Sequence, residues 1–99
     1  MAKLSEINEL NRKLTDAKKE LARKKEQFAH CAAKPIEKDV IQLLKEIASL
    51  SEKISVKYLS LAAETEEMFE EDSFIQFAAK FAKEHNEAIK ELERLEKSN

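Results

Sequence analysis

Glycine is absent from the 99 residues, and proline occurs once, at Pro35. These two residue types build most hairpin turns and left-handed helix caps, so their scarcity argues against a β-rich fold. Cysteine also occurs once, at Cys31, which excludes a disulfide within the chain and suits a reducing compartment. No stretch approaches the roughly 20 apolar residues that a membrane-spanning helix needs. The opening Met-Ala-Lys-Leu-Ser-Glu has no apolar segment behind its lysine, so no secretory signal is expected. A soluble cytoplasmic protein is the resulting expectation.

What the chain has in abundance is alanine, glutamate, lysine and leucine, the strong helix formers. The expected class is all-α: one domain over residues 1–99, made of three long amphipathic helices in an antiparallel bundle or coiled-coil assembly. Charge is unevenly spread. Residues 1–34 carry nine Lys/Arg against five Asp/Glu, residues 35–63 four of each, and residues 64–99 five against eleven, which yields the overall −2. Opposed ends of this kind help neighbouring helices find their register, although each exposed pair adds only about 0.2 to 1 kcal/mol.

The first helix is expected at about residues 3–33, roughly 45 Å long at 1.5 Å per residue. Ile7, Leu10, Leu14, Ala17, Leu21, Lys24, Phe28 and Cys31 alternate steps of three and four, the spacing of a coiled-coil seam. Lys24 interrupts that seam and is expected to lay its stem along apolar surface with its ammonium in water. Pro35 disfavours helix at Lys34 but suits the first turn of the next one, so the first turn is placed at Ala33 to Ile36.

The second helix is expected at about 36–69. Val40, Leu43, Ile47, Leu50, Ile54, Tyr58, Leu61, Thr65 and Met68 form one stripe, with Ile41, Leu44, Ala48, Ser55, Leu59 and Ala62 beside it. A stripe that wide marks the middle helix, with a neighbour on each side. The third is expected at about 73–97, capped by Asp72 or Ser73, with Ser73 and Gln76 spaced as a capping box. The alternative is one continuous rod from Ile36 to Lys97.

Four of the five phenylalanines fall between residues 69 and 81. Phe74, Ala78, Phe81, His85, Ala88, Leu92 and Leu95 draw one seam, while Ile75, Phe77, Ala79 and Ala82 lie off it. A helix start that is apolar nearly all round is usually covered on more than one side. The surface of Phe74, Phe77 and Phe81 is therefore expected to serve as core on one side and as a partner or dimer face on the other. Beside it runs the acidic segment Glu64 to Asp72, in which Glu66, Glu67, Glu70 and Glu71 surround Met68 and Phe69. Apolar anchors within a polar rim are the composition of an interaction hot spot. The plainer reading is a helix-end turn whose carboxylates stabilise the following N-terminus.

Other candidates carry less. Zinc requires four ligands at recognisable spacing, and a thiolate nucleophile requires an oriented base, so His30, Cys31 and His85 are read as ordinary residues. Arg12, Lys13, Lys18, Lys19, Arg23, Lys24 and Lys25 form a basic group without interleaved aromatic rings, which reads as a solvated face rather than a nucleic-acid footprint. Two all-helical families of this length do not fit. Secreted helical hairpins with a Trp-x-Gly turn need two residue types this chain lacks, and helical chorismate mutases need convergent arginines, where only Arg12, Arg23 and Arg94 exist.

The sequence thus leads to a non-enzymatic protein-binding module, an adaptor, chaperone or inhibitor, with no catalytic, cofactor or metal site. A homo-oligomer, a dimer, is expected from its surplus apolar surface, and no membrane or nucleic-acid partner. The alternatives are a purely structural coiled-coil oligomer and a helical-bundle enzyme with its site between subunits.

Overall fold

The computed structural model describes the backbone of residues 2–31 and 34–97, and side chains from residue 4 to 30 and from 37 to 97. Three helices follow one another: α1 (Ala2–Cys31), α2 (Lys34–Glu64) and α3 (Met68–Lys97). They pack as an all-α bundle, with α2 against both of its neighbours. Among the described residues there is no strand. Helices this long give a rod of 52 × 24 × 15 Å, whose radius of gyration is 15.8 Å. A compact domain of this length has a radius near 13 Å. The rod exposes 7002 Å², against about 5,800 Å² for a typical monomer of its mass.

One continuous core fills the rod. Ile7, Leu14, Ala17 and Leu21 of α1 meet Val40, Leu44, Ile47, Ala48 and Ile54 of α2, with Phe81, Ala88 and Leu92 of α3. These are the seams read from the spacing, and α2 buries residues of both of its stripes, Val40, Ile47 and Ile54 of one and Leu44, Ala48, Ser55 and Ala62 of the other, while Leu59 at the end of the second stays exposed. Lys24 behaves as its position in the seam implies. It is partly buried, and its ammonium reaches Asp39 of α2 at 3.3 Å. The side chain of Cys31 lies outside the described residues.

Register is fixed by pairs that repeat at matching intervals. Between α1 and α2, Lys24–Asp39 and Lys57–Glu6 are separated by eighteen residues on both helices, about five turns, which returns each pair to the same face. Between α2 and α3, Ser55 donates to the Ala78 carbonyl at 2.8 Å and His85 Nδ1 lies 2.7 Å from the Ala48 carbonyl, one heptad apart on both helices. Between the parallel α1 and α3, Lys18–Glu84 and Lys25–Glu91, each 2.6 Å, are again one heptad apart. Buried Ser51 returns its hydroxyl to the Ile47 carbonyl at 2.7 Å, which satisfies it within its own helix.

Both turns depart from their expected positions. Lys34, Pro35 and Ile36 are already helical, so α2 begins before the expected turn ends; Ala32 and Ala33 lie outside the described residues. Proline is tolerated there because the amide it lacks has no helical partner in a first turn. The second turn is at residues 65–67, which puts the cap five to six residues ahead of the expected one, and the continuous rod does not form. Thr65 accounts for the shift. Its amide closes α2 on the Leu61 carbonyl, its hydroxyl accepts from the Glu67 amide at 3.3 Å, and that hydroxyl also donates to Glu70 at 3.0 Å. This hydroxyl-bonded turn supplies the bend that glycine commonly provides. Glu67 then caps α3, its carbonyl accepting from the Glu71 amide, and Asp72 and Ser73 fall inside the helix.

Candidate functional site

Seven large apolar side chains stay exposed among the described residues: Leu4, Val56, Leu59, Met68, Phe69, Ile75 and Phe77. All lie at the end of the rod where α1 begins and α2 turns into α3. Phe69 is 84% and Met68 75% exposed, the others about half. Together they leave on the order of 500 Å² of apolar side chain in water at this end, spread over more than one face.

The expected site residues separate into layers. Phe81 is only 8% exposed and belongs to the core, so the seam it shares with Ala78 overrides the expectation that it faces a partner. Phe74 is half-buried, and Phe77 lies at the surface. All three rings gather on Tyr58 of α2, with centroids 6.1, 5.3 and 6.0 Å away. Spacing places them so, because residues 74, 77 and 81 share one face of a helix and Tyr58 opposes it. The ring cluster occupies the stretch where α1 and α3 are no longer laced by charge. One heptad below Lys18–Glu84, the corresponding positions are Asn11 and Phe77.

Glu66, Glu67, Glu70 and Glu71 are all exposed, as are Glu64 and Asp72. No lysine or arginine interrupts residues 64–72. Among the described residues, Glu66, Glu67, Glu71 and Asp72 have no ion-pair partner, while Glu70 accepts from Thr65. The acidic run therefore does two things: part of it builds the turn, and the rest rims the apolar end.

Four contributors stand outside the expected set: Leu4, Val56, Leu59 and Ile75. Ser55 and Ala48 mark the side of α2 that faces α3, and Leu59 follows Ser55 by one turn. Ile75 lies three residues before Ala78, the acceptor of Ser55, and Met68 one heptad before Ile75. Leu59 and Ile75 thus flank the α2–α3 seam on the side away from α1, whose direction Lys57 marks through Glu6. The available signal was that Val56 and Ile75 fall off the buried stripes while remaining β-branched and apolar.

The remaining candidates are accounted for by packing and pairing. Five of the seven members of the basic group between Arg12 and Lys25 are engaged: Arg12 with Glu9, Lys18 with Glu84, Arg23 with Glu20, Lys24 with Asp39 and Lys25 with Glu91. Arg12 bonds the Glu9 carboxylate and holds its pKa below the usual carboxylate range, and Glu9 in turn raises that of Arg12. His30 is exposed, and His85 is half-buried against Ala48. Among the described residues no group of three or more His, Cys, Asp and Glu is placed to hold a metal ion. A cleft of about 210 Å³ at the opposite end is lined by Phe28, Val40, Leu95 and the closed Lys25–Glu91 pair. No described helix is long and apolar enough to cross a membrane.

No known protein family matches the chain, and no curated protein or solved structure matches it either.

Proposed function

We propose that this chain is a non-enzymatic protein–protein interaction module, an adaptor, chaperone or inhibitor that masks an apolar segment of another protein. The observation that carries this reading is that, among the described residues, all seven exposed large apolar side chains lie at one end of a rod whose core is otherwise closed. Scattered exposed leucines need no explanation, whereas a concentrated patch with a polar rim is how docking surfaces are built. Met68 and Phe69 are the anchors, Phe77 with Phe74 against the ring of Tyr58 is the ring-lined flank, and Glu66, Glu67 and Glu71 form the rim. The basic residues of α1 are mostly engaged in ion pairs, which favours a protein partner over a nucleic acid.

The test compares the wild-type chain with Leu59→Asp/Phe69→Asp as affinity baits. The proposal expects one or more proteins to be retained by the first and lost by the second, while both unfold at the same denaturant concentration. Identical retained proteins on both baits would overturn it. Self-association is a second reading, favoured by the surplus apolar surface alone. Sedimentation across a wide concentration range distinguishes it, since a dimer gives twice the mass of the 11.4 kDa protomer.

A further inference from the structure

We infer that the occupant of this end is a cationic amphipathic helix of another protein, laid along the flank of the α2–α3 seam to make a local fourth helix. The inference rests on the binding role proposed above and adds the partner's chemistry and place. Val56 and Leu59 on α2, with Ile75 and Met68 on α3, lie on the side of that seam opposite α1. A helix seated between two others contacts apolar residues of both, and those four side chains supply such a track. Further along, the same flank turns polar, with Glu52 one turn before Val56 and Asn86 and Glu93 on α3, all exposed. The track is therefore short, a few turns.

Charge selects among occupants. Glu64, Glu66, Glu67, Glu71 and Asp72 border the track, and the basic residues of α3 begin only at Lys80. A second copy docked on the same face by a two-fold axis would bring one acidic run against the other. The exposed face of α1 offers positive charge, but its apolar stripe is committed to the core. A separate helix bearing lysines or arginines beside leucine-type anchors satisfies both the apolar track and its rim.

The test titrates the isotope-labelled full chain with two synthetic helical peptides of one apolar pattern, one with lysines and one with glutamates at every polar position. The inference expects the lysine peptide to bind with Kd on the order of 10 μM and to shift amides around Val56, Leu59, Met68 and Ile75. Binding should weaken several-fold at high salt and be lost in Leu59→Gln/Ile75→Gln, which leaves the core intact. Equal or tighter binding of the glutamate peptide overturns the charge assignment but leaves the binding role standing. Shifts confined to Leu4, Asn11 and Phe77 overturn the place. A dimer by sedimentation whose interface protects the same four residues makes the second copy the occupant. A monomer that binds neither peptide removes this inference, and the wild-type bait decides separately whether the binding role survives.

Discussion

His85 Nδ1 lies 2.7 Å from the carbonyl oxygen of Ala48, and because a carbonyl can only accept, the ring carries a proton on that nitrogen and donates it across the α2–α3 seam. Ser55 makes the same kind of bond in the opposite direction, from α2 to the Ala78 carbonyl. These two contacts pin the register of helices whose apolar stripes alone would allow slippage by a heptad. Nitrogen-15 spectra at alkaline pH are expected to show the Nδ1–H tautomer of His85. An Nε2–H tautomer would remove the bond.

Ser55→Ala removes the reciprocal bond without leaving an orphan, since the Ala78 carbonyl keeps its place in the α3 ladder. The expected loss is about 1 kcal/mol, read as a lower urea midpoint. An unchanged midpoint would mean that the contact contributes nothing to stability.

Core and docking surface should answer differently to truncation. Ile54 is 0% exposed, so Ile54→Ala is expected to cost about 2 to 5 kcal/mol, combining lost burial with a cavity. Phe69→Ala, at a largely solvated position, is expected to change stability by less than about 0.5 kcal/mol. Equal losses in equilibrium unfolding would contradict the division into core and docking surface.

Thr65→Val keeps the shape of the turn residue but removes both hydroxyl bonds, to Glu67 and to Glu70. A destabilisation of about 0.5 to 1.5 kcal/mol is expected. Hydrogen exchange should quicken first at the start of α3, because the Glu67 amide loses its acceptor.

The Glu9 carboxyl should titrate below the usual carboxylate range, because Arg12 bonds its ionised form. Its folded-state pKa is depressed, so whatever stability the pair contributes is present above the unfolded-state pKa and fades as the pH falls through the folded-state pKa. Carbon-13 titration should show the midpoint rise toward the ordinary value in Arg12→Gln. A midpoint indifferent to that substitution would mean that the pair does not persist in solution.

The helices and their buried seams were legible because period and composition point the same way. Ile7, Leu14 and Leu21, or Ala78, Phe81 and Leu92, recur at spacings that fit one helix face and no strand. The expectation of a second turn before Asp72 or Ser73 rests on their good capping chemistry. The bend instead follows Thr65, whose side chain bonds two residues and five residues ahead, and such a turn has no glycine or proline to announce it. At the candidate site, the exposure of Met68 and Phe69 matches an acidic segment too polar to be buried. Leu59 belongs to a stripe that spacing alone assigns to the core, and only the Ser55–Ala78 contact fixes how α2 is rotated against α3.

The most direct measurement of the central claim is the unfolding free energy of Leu59→Gln/Met68→Gln/Phe69→Gln across a wide range of protein concentration. If these side chains serve something outside the chain, the variant unfolds within about 1 kcal/mol of the wild type, each site contributing little, and neither midpoint depends on concentration. A loss of several kcal/mol, or a wild-type midpoint that rises with concentration while the variant's does not, would mean that this end is closed by the chain itself or by its own copies.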